Sequence, residues 1–107
     1  MRKMTLTGYE LADTPSKQAM GIMFRKRATR PMLFTFRHPG RIGIHSFFCP
    51  EFDAVFLDRN KRVTETYEDV ASNRIITPRR SAAYLIEFPP GTVSRKGIRK
   101  GTVVSWR

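Results

Sequence analysis

Three short apolar runs carry much of the hydrophobic side-chain mass of this chain: "PMLFTF" at 31–36, "DAVFLD" at 53–58 and "AAYLIEF" at 82–88. None is as long as an amphipathic helix needs, and each is bounded by proline, glycine or charged turn residues. In the first, Met32, Phe34 and Phe36 alternate with Leu33 and Thr35, the two-residue period of a strand with one strongly apolar face. The second is a compact apolar core between Asp53 and Asp58, the pattern of a strand covered on both sides. A chain punctuated in this way buries its runs by stacking strands, not by packing long helices. It is therefore expected to be mainly β, a small single-domain sandwich or barrel with one or two short helices.

The intervening segments fit that expectation. Thr14-Pro15 opens a short helix, "PSKQAM", because Thr14 can accept a bond from a free N–H and proline suits the first turn; Gly21 stops it. "RHPGR" at 37–41 is a turn, and "IGIHSFF" at 42–48 reads as a strand interrupted at Cys49-Pro50. "DRNK" at 58–61 is a tight hairpin, with Asn60 tolerating a positive φ, and "RVTETY" answers as the partner strand. Residues 69–81 read as a polar connection. "TVSRK" is a helical turn capped by Thr92 and ended at Gly97, followed by a last strand carrying Val103, Val104 and Trp106. With 107 residues, 40% of them hydrophobic and eight phenylalanines, residues 1–107 form one domain able to bury a real core.

Charge limits the partners. Twenty Lys and Arg face nine acids, a formal net charge of +11, which favours an anionic ligand, an acidic protein or nonspecific contact with nucleic acid. The basic residues are scattered in small groups at turns, the distribution of solvated loop charge as well as of a binding surface. Arg25, Arg27, Arg79 and Arg80 are the preferred anion-binding positions, since guanidinium groups bind phosphate and carboxylate bidentately. Aromatics interleave with the basic groups but fall at core parity in strands, so sequence-specific nucleic-acid readout is not expected. Cys49 is the single cysteine, so no intrachain disulfide forms; with no long apolar run and a mixed polar segment after Met1-Arg2-Lys3-Met4, a cytoplasmic protein without signal peptide or membrane span is expected.

Candidate chemistry concentrates in "IHSFFCPEFDAVFLD" at 44–58. His45, Cys49 and Asp53 are spaced by four, so a continuous strand would put all three on one face, yet roughly 13 Å apart per step, too far for a thiolate–imidazole pair. Cys49 is then a small buried apolar group. One cysteine with His38 and His45 does not supply a zinc ligand set, and neither metal nor cofactor is expected. Asp58 is expected to bond the hairpin backbone. Asp53, at the entrance to a buried run, needs a partner: an arginine in a structural ion pair, or else a ligand, as the acid at a barrel mouth. A noncatalytic binding or accessory role is the leading reading, and a small enzyme using Asp53 or His45 in a cleft is the alternative. No nucleophile elbow or phosphate-cradling glycine loop is present.

Taken in order, several segments resemble the family called domain of unknown function 192. The helix and "GLMFR" of its pattern correspond to Gly21-Ile22-Met23-Phe24-Arg25, and its "GMLFxF" strand to Pro31-Met32-Leu33-Phe34-Thr35-Phe36. Its "DVVFLD" corresponds to Asp53–Asp58, and its "YVLExPAGTxxxxGIxxGDxV" to Tyr84-Leu85-Ile86-Glu87-Phe88-Pro89-Pro90-Gly91-Thr92 and Gly97–Val103. The resemblance spans about residues 14–104 and implies a compact, mainly β domain of sandwich or barrel type without implying a reaction. Two positions depart: the family's "FWMKNTLIPL" is Gly43–Phe52 here, so a role tied to its Lys-Asn pair does not transfer, and Thr102 stands in place of an aspartate.

Overall fold

The computed structural model describes residues 2–106; Met1 and Arg107, the ends of the expected 1–107 domain, lie outside the described residues. The elements in order are β1 (Lys3–Thr5), β2 (Glu10–Ala12), α1 (Pro15–Met20), β3 (Met32–Gly40), β4 (Ile44–His45) and β5 (Phe52–Leu57). There follow β6 (Val63–Val70), β7 (Ile75–Ile76), β8 (Ala82–Phe88), α2 (Thr92–Lys96) and β9 (Val103–Ser105). The fold is mainly β with two short helices, as the punctuation of the chain predicts.

A central five-stranded sheet runs β2-β3-β8-β5-β6, antiparallel except for the parallel β2–β3 pair. Two-stranded ribbons, β1–β9 and β4–β7, supply the outer layers, and the sheets are not closed into a barrel. Strand parity sorts the core into two faces. Met32, Phe34, Phe52, Ala54, Phe56 and Leu85 pack on one side, with Ile44 and Ile76 of the β4–β7 ribbon against them. Leu33, Val55, Leu57, Ile86 and Phe88 pack on the other, with Leu6, Val93, Ile98 and Val104 from the β1–β9 side. Every residue of β5 is buried, which is why its sequence is a continuous apolar run and not an alternating one. Burying each of Phe52, Phe56 and Phe88 contributes about 2 kcal/mol from removed apolar area.

Local signals place several of the turns, but 37–41, expected as a turn, is strand as far as Gly40 because β3 continues there to pair with Ala82 after a register shift. Thr14 caps α1, its Oγ1 accepting from Lys17 N at 3.2 Å, and Gly21 at φ 48 ends the helix. Asp58 organises the β5–β6 hairpin by accepting from the amides of Asn60 (2.8 Å) and Arg62 (3.1 Å). The positive φ falls on Lys61, at 59°, and not on Asn60 as expected. Thr92 is likewise not the cap of α2: Gly91 holds that position at φ 87, and the Thr92 hydroxyl donates to Pro89 O at 2.6 Å. Two strands, β1 and β2, form from the mixed segment 3–12, whose polarity hides them because only Leu6 and Ala12 are buried there. Within 69–81, β7 forms only as partner to β4.

The segment 42–48 departs most. Only Ile44 and His45 are strand; Ser46–Cys49 is a β-turn closed by Cys49 N donating to Ser46 O at 3.1 Å. The chain therefore folds back instead of running straight to β5, because Ser46 is buried and anchored, its hydroxyl donating to Ala71 O at 2.6 Å and accepting from Arg74 N at 2.8 Å.

Candidate functional site

β8 carries apolar residues on both faces, and parity sends Leu85 and Glu87 to one side, Ile86 and Phe88 to the other. Glu87 is thus placed among core side chains, with Met32 of β3 and Ala54 of β5 as its cross-strand partners. It is 6% exposed, and its Oε1 has no hydrogen-bond partner among the described residues. Burial pushes the carboxyl up to about 8, against the opposing pull of the Arg25 guanidinium. At neutral pH it is held largely protonated, able to donate one hydrogen bond and accept others.

Above Glu87 lies a cleft of about 310 Å³ between α1 with its following turn and the 42–45 segment. Met23, Phe36 and Ile44 supply apolar wall, and Gln18, His45, Cys49 and Glu87 its polar atoms; among the described residues neither arginine nor lysine lines it. Gly21 keeps the space open at close quarters. A Cβ there would lie 3.4 Å from the Phe34 ring and 3.7 Å from Glu87 Oε1. Gln18 fixes one wall, its amide donating to the carbonyls of Ala12 (3.0 Å) and Thr35 (2.7 Å).

The fold-back at Ser46–Cys49 brings His45 and Cys49 to the same cleft, against the extended geometry expected for them. Their bonds nevertheless go to Phe47 and not to each other. His45 Nδ1 accepts from Phe47 N at 3.2 Å, and Cys49 Sγ donates to Phe47 O at 3.5 Å. Desolvation, with the charge of Glu87 second, raises the thiol to about 11, so at neutral pH it is a buried thiol and not a nucleophilic thiolate.

Asp53 faces the opposite side of the sheet. It is fully buried, with Oδ1 accepting from Asp69 N and Oδ2 from Val93 N, each at 2.9 Å. The expected arginine is replaced by backbone amides: one in the first turn of α2, one at Asp69, itself at φ 50. The four arginines chosen from sequence are exposed and do not converge. Arg25 is paired bidentately with Glu10 on edge strand β2. The amides of Arg79 and Arg80 donate to Glu65 on β6, the opposite edge of the sheet, at 2.9 and 3.1 Å. Arg27 borders a separate shallow groove with Lys26, Pro50 and Glu51. Thr102, standing for the family's aspartate, accepts from Arg99 N at 3.1 Å through its hydroxyl. Among the described residues, no three His, Cys, Asp or Glu side chains converge as a metal-ligand set.

Sequence reading passed over Glu87, although a signal was present: an acid at core parity inside the run "AAYLIEF" must be buried if that run is a strand.

Fold and site together define an open mixed-sheet domain with an apolar cleft over a buried carboxyl. The chain belongs to the DUF192 family, described as "Uncharacterized ACR", whose sequence profile matches residues 2–106. It is 33% identical over 100 residues to a UPF0127 protein of Thermococcus gammatolerans, covering 91% of this chain and 65% of the relative. Against UPF0127 protein PH1112 of Pyrococcus horikoshii it is 34% identical over 99 residues, covering 90% of this chain and 84% of the relative. The chain thus spans slightly under two thirds of the length of the Thermococcus relative. A candidate transcription regulator from Sinorhizobium meliloti 1021 superposes with TM-score 0.81 at 28% identity, over 87% of this chain and 76% of that one. A protein of unknown function from Novosphingobium aromaticivorans has the same fold, with TM-score 0.81 at 23% identity, over 87% and 70%. Among the described residues, no helix is long and apolar enough to cross a membrane.

Proposed function

We propose that this domain is a noncatalytic binding module whose cleft takes a small uncharged molecule, with an apolar body and an amide-like edge paired to Glu87. The observation that carries this reading is the buried Glu87 carboxyl with its unpartnered Oε1 beneath the cleft. A protonated carboxyl offers one donor and one acceptor side by side, and an amide edge offers the reverse pair. Met23, Phe36 and Ile44 supply the apolar wall that such ligands need. An anionic ligand finds no lysine or arginine in the lining among the described residues, so any anion held by the four arginines belongs to the outer surface.

Benzamide, benzylamine and benzoate, matched in size, test the reading through the amide NMR shifts of Gly21, Ile22 and Cys49. Benzamide should bind saturably near neutral pH, weaken as pH rises past about 8, where Glu87 ionises, and fail to bind Glu87→Leu. Preference for benzylamine, with affinity rising toward that pH, would replace the uncharged class by a cationic one. Shifts identical in wild type and Glu87→Leu would remove the cleft from consideration.

A further inference from the structure

Phe24 and Phe48 are large apolar side chains left 70% and 65% exposed, and both sit in backbone conformations that disfavour them. Their φ angles are 65° and 60°, a region in which a bulky residue is an outlier. Each occupies the third position of a four-residue turn, Ile22–Arg25 and Ser46–Cys49, closed by Arg25 N to Ile22 O at 3.3 Å and Cys49 N to Ser46 O at 3.1 Å. Phe24 N also donates to Phe48 O at 2.7 Å, joining the two turns. The rings stack with centroids 5.4 Å apart and planes within 20°. Beside them His45 and Phe47 stack in the same manner, 5.3 Å apart and within 23°. Strain and solvent exposure of apolar surface both oppose stability here, the combination that marks surface kept for contact.

We propose that this double aromatic stack is a platform for single-stranded nucleic acid, on which splayed bases stack while neighbouring cations meet the phosphates. Lys26 and Arg27 lie two and three residues after Phe24, beyond the Glu10-paired Arg25, and border a groove with Pro50 and Glu51, two and three residues beyond Phe48. Arg74, exposed, is joined by its backbone to Ser46 at the base of the second turn. A net charge of +11 adds long-range attraction for a polyanion. Bases within a duplex already stack on one another, so free ring faces fit an unpaired strand. An anionic membrane would use the same charges, but insertion among lipid tails needs apolar depth and not ring planes held parallel by two interlocked turns. Phe24, Phe47 and Phe48 do not line the Glu87 cleft, although the adjoining His45 does, and the proposal does not depend on ligand binding there.

The test is fluorescence anisotropy of the full chain with a labelled oligothymidylate about twelve nucleotides long, titrated between about 50 and 200 mM salt. The Phe24→Gly/Phe48→Gly double variant removes both rings while giving the turns a residue suited to positive φ, so its melting temperature should hold or rise. Its affinity should drop about tenfold or more with all charges intact. Lys26→Ala and Arg27→Ala should each flatten the log affinity against log salt slope by about 0.7. The proposal is overturned if the double glycine variant binds the oligonucleotide like wild type, or if wild type does not bind at low salt. It is equally overturned if the glycine changes abolish binding to phosphatidylserine vesicles and leave oligonucleotide binding untouched.

Discussion

Asp53 and Glu87 stand on adjacent strands, in successive register pairs (Asp53 with Phe88, Ala54 with Glu87), and both are buried. Their circumstances are opposite. On the Asp53 face, α2 and the bulged end of β6 bring two amides to the carboxylate, and both oxygens are engaged. On the Glu87 face, the covering layer leaves a cleft, and Oε1 has no hydrogen-bond partner among the described residues. The difference teaches that a buried acid becomes scaffold when the backbone comes to meet it. Where the backbone stays away, the acid keeps its proton and remains available to something else.

Breaking the satisfied side should have the largest effect. Asp53→Ala leaves the amides of Asp69 and Val93 without their acceptor, and urea unfolding should show a loss on the order of 4 kcal/mol. Asp53→Asn, which can keep an acceptor for one amide, should lose about half of that.

The unsatisfied side should reveal itself through pH. Glu87 has a folded value of about 8 against an ordinary 4.5, so the folded state binds its proton more tightly than the unfolded chain. Its contribution to stability is therefore fully present below about pH 4.5 and is lost as pH rises through about 8, with a slope near 1.4 kcal/mol per pH unit. Denaturation across that window should show the slope in wild type and not in Glu87→Gln; parallel curves would contradict the contrast between the two acids.

The smallest effect sharpens the comparison. Gly21→Ala puts a methyl group at φ 48 and 3.4 Å from the Phe34 ring, and should cost about 1 kcal/mol by thermal unfolding. The same methyl group crowds Glu87 Oε1 and should occlude benzamide more than it destabilises the fold.

How much of this was legible follows from the range of each interaction. The α1 cap at Thr14, the Asp58 hairpin and the parity of 82–88 involve residues a few positions apart, and the chain states them directly. The bond from Asp53 to Val93 spans 40 residues, and no local pattern pairs the first turn of α2 with a carboxylate of β5. Glu87 lay in plain view inside an apolar run, but its missing partner is a property of what the other layers fail to supply.

By itself the sequence determined strands β3, β5, β6, β8 and β9 and the apolar faces of the central ones, because side-chain period and turn chemistry are local physics. The tertiary structure alone decided which buried acid is satisfied, that His45 and Cys49 reach one cleft, and that Phe24 stacks on Phe48. Those outcomes depend on distant segments converging on one place, where desolvation and hydrogen bonding are settled by whichever groups arrive.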